Sequence, residues 1–361
     1  MSWKRWLITV LSFAAAIGVS VYLVLDSWSA AGAMAALPVT GHLLALGVMT
    51  VEVCARVLKL YYSACALRIP FSLWTSLRTN LGGDFGGGIT PSRSGGEPAR
   101  FLILSEARMA PTAAILLLFT EIFLEMLSVL VIAVVLALVF SGSGAIVAGV
   151  LSVACAYSLF VLAVGYSGFA LSKRANGPPP PWVRWIGLNA GRWRWVQTGL
   201  RALRERLSSL RTARRGLIGW AMALSALHVM ARLAVLPAIV FSYDRSVELA
   251  PLVLWSLALL YGANAAPAPA GGGLIEVAFR TSLGGVIPVE YFAATLIWWR
   301  FYTFYALLLL GAFVAGRTVM RALRSNGEAE KLAPAEVQIV ESGVVGRDLT
   351  LEQRARAERT P

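Results

Sequence analysis

Three stretches of this chain contain no Asp, Glu, Lys or Arg, and each is long enough to cross a lipid bilayer. They are residues 7–25, 142–171 and 249–275. A transmembrane helix needs about 20 apolar residues to cross the hydrocarbon core. Four more apolar stretches carry a few ionisable residues, which the interior of a helix bundle accepts and a lipid-facing surface does not; they are residues 39–67, 110–140, 216–243 and 290–316. The pattern predicts an all-α fold, a polytopic transmembrane helix bundle.

Composition agrees, because 58% hydrophobic and 14% charged residues are far from the balance of a soluble domain. The first stretch follows Lys4 and Arg5, but it is longer than the apolar core of a signal peptide, so we expect a retained anchor. Residues 1–325 are therefore predicted to form one transmembrane domain. Residues 326–361 are polar with little to bury, and we expect a disordered tail.

The formal net charge of +13 is concentrated in the loop at residues 172–215, which holds eleven basic residues against the single acidic residue Glu205. Basic loops stay cytoplasmic, and we expect both termini on the same side. Four tryptophans lie among these arginines, so part of the loop either follows an anionic membrane surface or is simply solvated. No nucleic-acid recognition motif accompanies the charge, so we expect no nucleic-acid partner.

Helix directions follow from the positions of basic residues. The helix at residues 39–67 is expected to end in the cytoplasm near Lys59 and Arg68, and the last helix should run inward toward Arg317. A complete crossing by residues 249–275 would reverse that last helix. The prolines and glycines of residues 262–276 should break the helix, so a re-entrant segment that enters and leaves from outside is predicted.

A second interrupted segment occupies residues 71–108, whose centre, GGDFGGGITPSRSGGEPAR at 82–100, is rich in glycine. We expect it to be re-entrant from the cytoplasm. Both segments place a glycine pair four residues after a proline: Pro91 with Gly95 and Gly96, and Pro267 with Gly271 and Gly272. Two interrupted segments that enter from opposite faces are typical of an inverted repeat, although glycine and proline also recur by chance in loops.

The first interrupted segment is a candidate anion site. The amides that begin at Gly95 and Gly96 should start a helix, and Arg93 and Arg100 add positive charge, which suits a phosphate or carboxylate. Glu97 would fall in the first helical turn, where it either takes part in the site or caps the helix and pairs with an arginine. Asp84 is expected to be a turn residue.

Other ionisable residues lie at membrane depth. Glu52 and Arg56, four residues apart, are expected to form a structural pair. Glu121 and Glu125 share a helix face and a sign, so they need a cation or form a proton relay. Their candidate partners are Arg100, Arg232 and Arg300. Glu276 and Arg300 are expected to pair across a cavity.

Two blocks and one arginine resemble a known family. TPSRSGGEPAR at residues 90–100, PAPAGGGLIE at 267–276 and Arg300 in LIWWRFYTFY are similar to signature positions of the flippase-like membrane family that includes the transmembrane region of lysylphosphatidylglycerol synthases. Ala270 stands where that family usually has glycine. The resemblance implies movement of polar or isoprenoid-linked lipids between leaflets, without the lysyl-transferring domain. The substrate-binding residues expected from both arguments are Pro91, Arg93, Gly95, Gly96, Glu97, Arg100, Pro267, Pro269, Gly271, Gly272, Gly273, Glu276 and Arg300.

Two classes of function remain at this stage. The first is a lipid translocator in the inner membrane of a prokaryote, whose cavity takes an anionic or phosphate-linked head group. The second is a membrane-embedded enzyme, or an accessory partner of one, that acts on lipids or lipid-linked glycans. We expect no enzyme activity, because no nucleophile-and-base pair, metal-ligand cluster or nucleotide-binding glycine loop is visible. No cofactor is therefore expected.

Overall fold

The computed structural model describes residues 36–90, 92–140, 214–263 and 271–319, together with isolated helical positions at 18, 22 and between 149 and 163. Several sequence predictions lie outside these residues: most of the crossings at 7–25 and 142–171, the basic loop before Arg214, the polar tail, Pro91, Pro267 and Pro269. The regular structure in the described part is helical, without a strand. The predicted all-α fold is confirmed.

Eight helices make up the described residues: α1 (Val39–Ala66), α2 (Leu73–Gly88), α3 (Gly96–Glu106), α4 (Pro111–Val139), α5 (Arg215–Tyr243), α6 (Leu249–Gly262), α7 (Leu274–Leu283) and α8 (Val289–Val319). Helix α8 is not uniform. After Arg300 it passes through a π-helical turn at Phe301–Tyr305 and then continues as an α-helix.

Helices α4, α5 and α8 are long and apolar enough to cross a membrane. Helix α1 has 28 residues, and at about 1.5 Å per residue it also exceeds the hydrocarbon thickness. It carries three charged residues, Glu52, Arg56 and Lys59, and all three side chains are buried inside the protein. These four helices match the four apolar stretches that were expected to carry interior charges.

The bundle has two ends. At the first, which we call the Ala66 end, the backbone N–H of Arg214 before α5 donates to the carbonyl of Ala66 at the end of α1. Thr318 near the end of α8 lies at the same end, where its hydroxyl donates to Glu106 of α3 over 3.0 Å. At the opposite Tyr243 end, the last ring of α5 stacks on Tyr291 near the start of α8, with centroids 4.6 Å apart.

Helices α2 and α3 form an antiparallel hairpin, the first hairpin, that begins and ends at the Ala66 end. Arg78 of α2 binds Glu106 of α3 there, with 2.7 Å between nitrogen and oxygen. The helices have 16 and 11 residues, so at about 24 and 17 Å each is shorter than the hydrocarbon core. Neither helix can cross a bilayer alone.

The glycine-rich centre at residues 82–100 is less unwound than the sequence suggested. Helix α2 continues through five glycines to Gly88, and the described residues that leave the helical form are 89, 90 and 92–95. Close packing explains this, because a Cβ built on Gly86 would lie 2.6 Å from the Cβ of Ala99 and 2.7 Å from the carbonyl oxygen of Gly95. The glycines let the backbones of α2 and α3 approach each other.

Helices α6 and α7 form the second hairpin, which opens toward the Tyr243 end. Phe279 of α7 packs on Phe292 of α8, with centroids 5.5 Å apart, so α7 runs back to the end where α8 begins. In the described part of this segment a helix break is present, because residues 271–273 form a turn directly before α7 begins at Leu274. Gly271 and Gly273 adopt φ values of 67° and 79°, which favour glycine.

The two hairpins thus open to opposite ends of the bundle. This is the arrangement that two re-entrant segments would need, since each hairpin returns the chain to the end from which it came. Entry of the hairpins into the membrane from opposite sides stays a prediction, and so does the inverted repeat.

Candidate functional site

A set of ionisable side chains with a buried centre and a partly exposed edge lies between helices α1 to α5, and we call it the charge network. Ion pairs and one shared cavity link its members. The cations are Arg56, Lys59, Arg93, Arg100 and Arg232, and the carboxylates are Glu52, Asp84, Glu97, Glu121 and Glu125. With five of each sign, the network is formally neutral. Burial of charge at membrane depth requires such pairing.

One branch of the network joins α1 to the first hairpin. The guanidinium of Arg56 lies 3.0 Å from Glu52 and 2.9 Å from Asp84. The predicted Glu52–Arg56 pair is confirmed. The expectation that Asp84 is a turn residue is wrong, because it lies inside α2 with only 8% exposure. Arg93 approaches the same carboxylate at 3.4 Å.

A second branch centres on Lys59, which is fully buried. Its ammonium lies 3.2 Å from Glu121 and 3.1 Å from Glu125, so one cation stabilises both carboxylates of α4. The expectation that Lys59 lies at the cytoplasmic end of its helix is wrong, because α1 continues to Ala66. Glu52, Arg56 and Lys59 are spaced four and three residues apart, so they share one face of a helix, and this spacing could have placed Lys59 in the interior.

The outer edge of the network lies on the first hairpin. Arg100 binds Glu121 and also lies 3.0 Å from Glu97, and Glu97 keeps 49% of its side chain exposed. Glu97 falls in the first turn of α3, with Gly95 as N-cap and Gly96 as first residue, as the sequence predicted. Arg93, on the same hairpin, keeps 21% of its side chain exposed.

A separate buried pair lies at the second hairpin. The Nε of Arg300 on α8 is 3.0 Å from Glu276 in the first turn of α7, and both side chains are at most 7% exposed. The predicted pairing of these two residues is confirmed. The guanidinium carbon of Arg300 also lies 5.2 Å from the ring centre of Phe304, a cation–π distance.

A π-helical turn begins directly after Arg300, and no pattern in the sequence predicts it. Such turns widen a helix locally and are frequent at functional sites. Here Tyr302 and Thr303 of the turn line a small cavity of about 10 Å³ together with Glu52 of α1 and Arg232 of α5. The turn therefore reaches the charge network from the α8 side.

The sequence-predicted residues fall into two groups. Arg93, Glu97 and Arg100 belong to the charge network, whereas Glu276 and Arg300 lie at the second hairpin beside the turn that contains Gly271, Gly272 and Gly273. Convergence of both groups on one cavity stays a prediction.

The two histidines that the chain contains have polar neighbours in the structure. His42 Nδ1 lies 2.9 Å from the Tyr302 hydroxyl, and His228 Nε2 lies 3.9 Å from Glu125. Within the described ranges, the structure holds no group of three or more His, Cys, Asp or Glu side chains that could bind a metal ion.

Comparison with known proteins adds one finding to this geometry. The sequence model of a protein family described as "Lysylphosphatidylglycerol synthase TM region" matches residues 6–311 of the chain. No curated protein matches the chain. The family match spans all eight helices except the last residues of α8.

Proposed function

The chain belongs to the family of the lysylphosphatidylglycerol synthase transmembrane region, and we propose that it moves a lipid with an anionic, phosphate-bearing head group between the two leaflets. The family indicates a membrane protein with a lipid-related function. The finer assignment to translocation rests on the charge network. Charge is expensive to bury on helices of membrane length, and such residues mark pathways for polar substrates. Six members of the network lie on such helices: Glu52, Arg56, Lys59, Glu121, Glu125 and Arg232.

The accessible edge of the network is where a head group would bind first. Arg93 holds Asp84 at 3.4 Å, a longer contact than the 2.9 Å between Arg56 and Asp84. A phosphate can therefore take Arg93 away while Arg56 still neutralises the buried Asp84. In the same way Arg100 can exchange the exposed Glu97 for a phosphate and keep its inner contact with Glu121.

Because Arg93 and Arg100 exchange a carboxylate for a phosphate, an anion can bind without leaving a buried charge unpaired. An unpaired buried charge costs several kcal/mol, about 3–5 when one partner of a buried pair is lost. The inner contacts of Arg56 and Lys59 hold the carboxylates during the exchange. The head group then moves between paired cations while its tails remain in the bilayer.

The second hairpin supplies the opposite side of the proposed route. Arg300 lies beside a helix break, and unwound backbone at membrane depth is tolerated where it lines a cavity. The backbone amides of the glycines at residues 271–273 and the Arg300 guanidinium suit the same phosphate chemistry. The lipid head group would then move from the first hairpin to the second, and the two hairpins would open to opposite leaflets.

The carrier works without ATP hydrolysis and without catalytic chemistry of its own, in the inner membrane of a prokaryote, with the Ala66 end in the cytoplasm. Its substrate is a phospholipid or an isoprenoid-linked phosphate, and it can act beside an enzyme of lipid biosynthesis.

Reconstitution into vesicles tests the function directly. The probe is phosphatidylglycerol with a fluorescent acyl chain, distributed in both leaflets, and a membrane-impermeant reductant bleaches the outer leaflet. Without ATP, vesicles that contain the protein should bleach completely, whereas protein-free vesicles should stop near half. Equal bleaching of both would contradict translocation and favour a role as partner of a lipid-modifying enzyme.

A further inference from the structure

A second cavity lies away from the charge network, at the Ala66 end. It has a volume of about 510 Å³, which falls in the range of small-molecule sites. Two loops form it, the loop between α1 and α2 and the loop between α3 and α4. Its lining includes Arg68, Ile69, Phe71, Ser72, Arg108 and Met109.

Both loops begin with the same structure. Arg68 and Arg108 each follow a helix end and adopt left-handed φ values of 55° and 58°. The next residue closes each helix, since the Ile69 N–H donates to Ala64 and the Met109 N–H donates to Leu104. Glycine is the usual residue at this position of a helix terminus because other residues are strained there. Two arginines stand there instead.

These arginines are exposed at the cavity wall, and neither forms an ion pair with another residue in the described part of the chain. Two guanidinium groups on one cavity favour an anion, and arginine binds phosphate through two parallel hydrogen bonds. The hydroxyls of Ser72 and Thr75 also line the cavity. They add neutral hydrogen-bonding groups beside the charges.

The floor of the cavity is apolar. Ile69 is part of a buried cluster with Leu60, Ala64 and residues of α4, and Phe71 and Met109 pack against that cluster. This apolar layer separates the cavity from Lys59, which lies one residue before Leu60 on α1. A site with an apolar floor and a cationic wall suits an amphiphile better than a free anion.

Depth in the membrane points to the same ligand. The cavity adjoins the end of α1 and the start of α4, two helices longer than the hydrocarbon core is thick. It therefore lies at the level of the lipid head groups. We propose that this cavity is a binding site for the phosphate head group of an anionic lipid in the leaflet at the Ala66 end, held by Arg68 and Arg108. The site is separate from the translocation route and does not depend on it.

The test uses the full-length protein in a neutral detergent and a short-chain phosphatidylglycerol as probe, with binding measured by titration calorimetry. The key variant replaces both arginines by glycine, R68G/R108G. Glycine suits the left-handed backbone, so the thermal midpoint should stay equal or rise while both cations are lost. Affinity for phosphatidylglycerol should fall at least tenfold, and wild-type affinity should also fall as salt is added.

Two controls define the alternatives. R245Q removes an exposed arginine at the Tyr243 end and should bind like the wild type. Phosphatidylcholine should bind at least tenfold more weakly to the wild-type protein.

The proposed site would be overturned if R68G/R108G bound phosphatidylglycerol as tightly as the wild type does. Inorganic phosphate that displaces the lipid at equal concentration would overturn its assignment to a lipid, because the site would then serve a soluble phosphate compound. If the wild-type protein binds phosphatidylglycerol through Arg68 and Arg108 but does not flip it in vesicles, the proposed translocation is wrong and this site still stands.

Discussion

The ammonium of Lys59 lies 3.2 Å from the carboxylate of Glu121, with both side chains at most 2% exposed. Because this contact between α1 and α4 is buried, water cannot hydrate either charged group if its partner is lost. The pair therefore fixes the two helices against each other, and Glu125 extends it at 3.1 Å.

We expect K59M to be strongly destabilising. It leaves Glu121 and Glu125, two carboxylates on one helix face, without their shared cation, and loss of one partner of a buried pair costs about 3–5 kcal/mol. The double variant K59M/E125Q should recover part of this loss because only Glu121 then stays charged, and Arg100 still binds it. Thermal unfolding of the purified protein in detergent measures both. A K59M midpoint equal to that of the wild type would contradict the structural role of Lys59.

The sequence predicted the long helices well, because apolar stretches of membrane length leave few alternatives to a helix. It also predicted two ion pairs, Glu52–Arg56 from helical spacing and Glu276–Arg300 from their isolation in apolar surroundings. Asp84 could not be placed, because its helix exists through tertiary packing of glycines that local propensity disfavours. The π-helical turn after Arg300 has no local signal either.

Glycine packing in the first hairpin gives the second prediction. G86A places a methyl group against the Cβ of Ala99 and the carbonyl of Gly95, so α2 and α3 must separate. Overpacking of this kind costs about 1–3 kcal/mol. The matched control is G47A in α1, where a Cβ meets nothing within 4 Å. It should leave stability unchanged or raise it by up to about 1 kcal/mol. Equal thermal midpoints for the two variants would count against close backbone packing of the hairpin.

The Glu276–Arg300 pair gives the third prediction. E276Q removes the carboxylate that lies 3.0 Å from a buried guanidinium, and we expect a loss of about 3–5 kcal/mol. E290Q is the control, since Glu290 is exposed in the first turn of α8 and its removal should cost less than about 1 kcal/mol. Chemical denaturation in mixed micelles compares the variants. If E276Q and E290Q unfold at the same denaturant concentration, the Glu276–Arg300 pair contributes nothing to stability.

Membrane orientation gives the fourth prediction. In a background without Cys54, Cys65 and Cys155, E248C lies at the Tyr243 end and S105C at the Ala66 end, both exposed. An impermeant maleimide should label E248C in intact cells and S105C only after permeabilisation, because basic residues at the Ala66 end keep it in the cytoplasm. Labelling of S105C from outside would reverse the proposed topology.

The most direct test of lipid translocation through the charge network is the flipping rate of R93Q. Arg93 is more exposed than Arg56, Lys59 or Arg100, and its removal leaves Asp84 paired with Arg56, so the fold should survive. Loss of one charge-assisted hydrogen bond to phosphate costs about 1.5–3 kcal/mol, so reconstituted R93Q should flip fluorescent phosphatidylglycerol at least tenfold more slowly than the wild type. R245Q, with its substitution at the Tyr243 end, should flip it at the wild-type rate. Wild-type flipping by well-folded R93Q would contradict the proposal that head groups pass along this network.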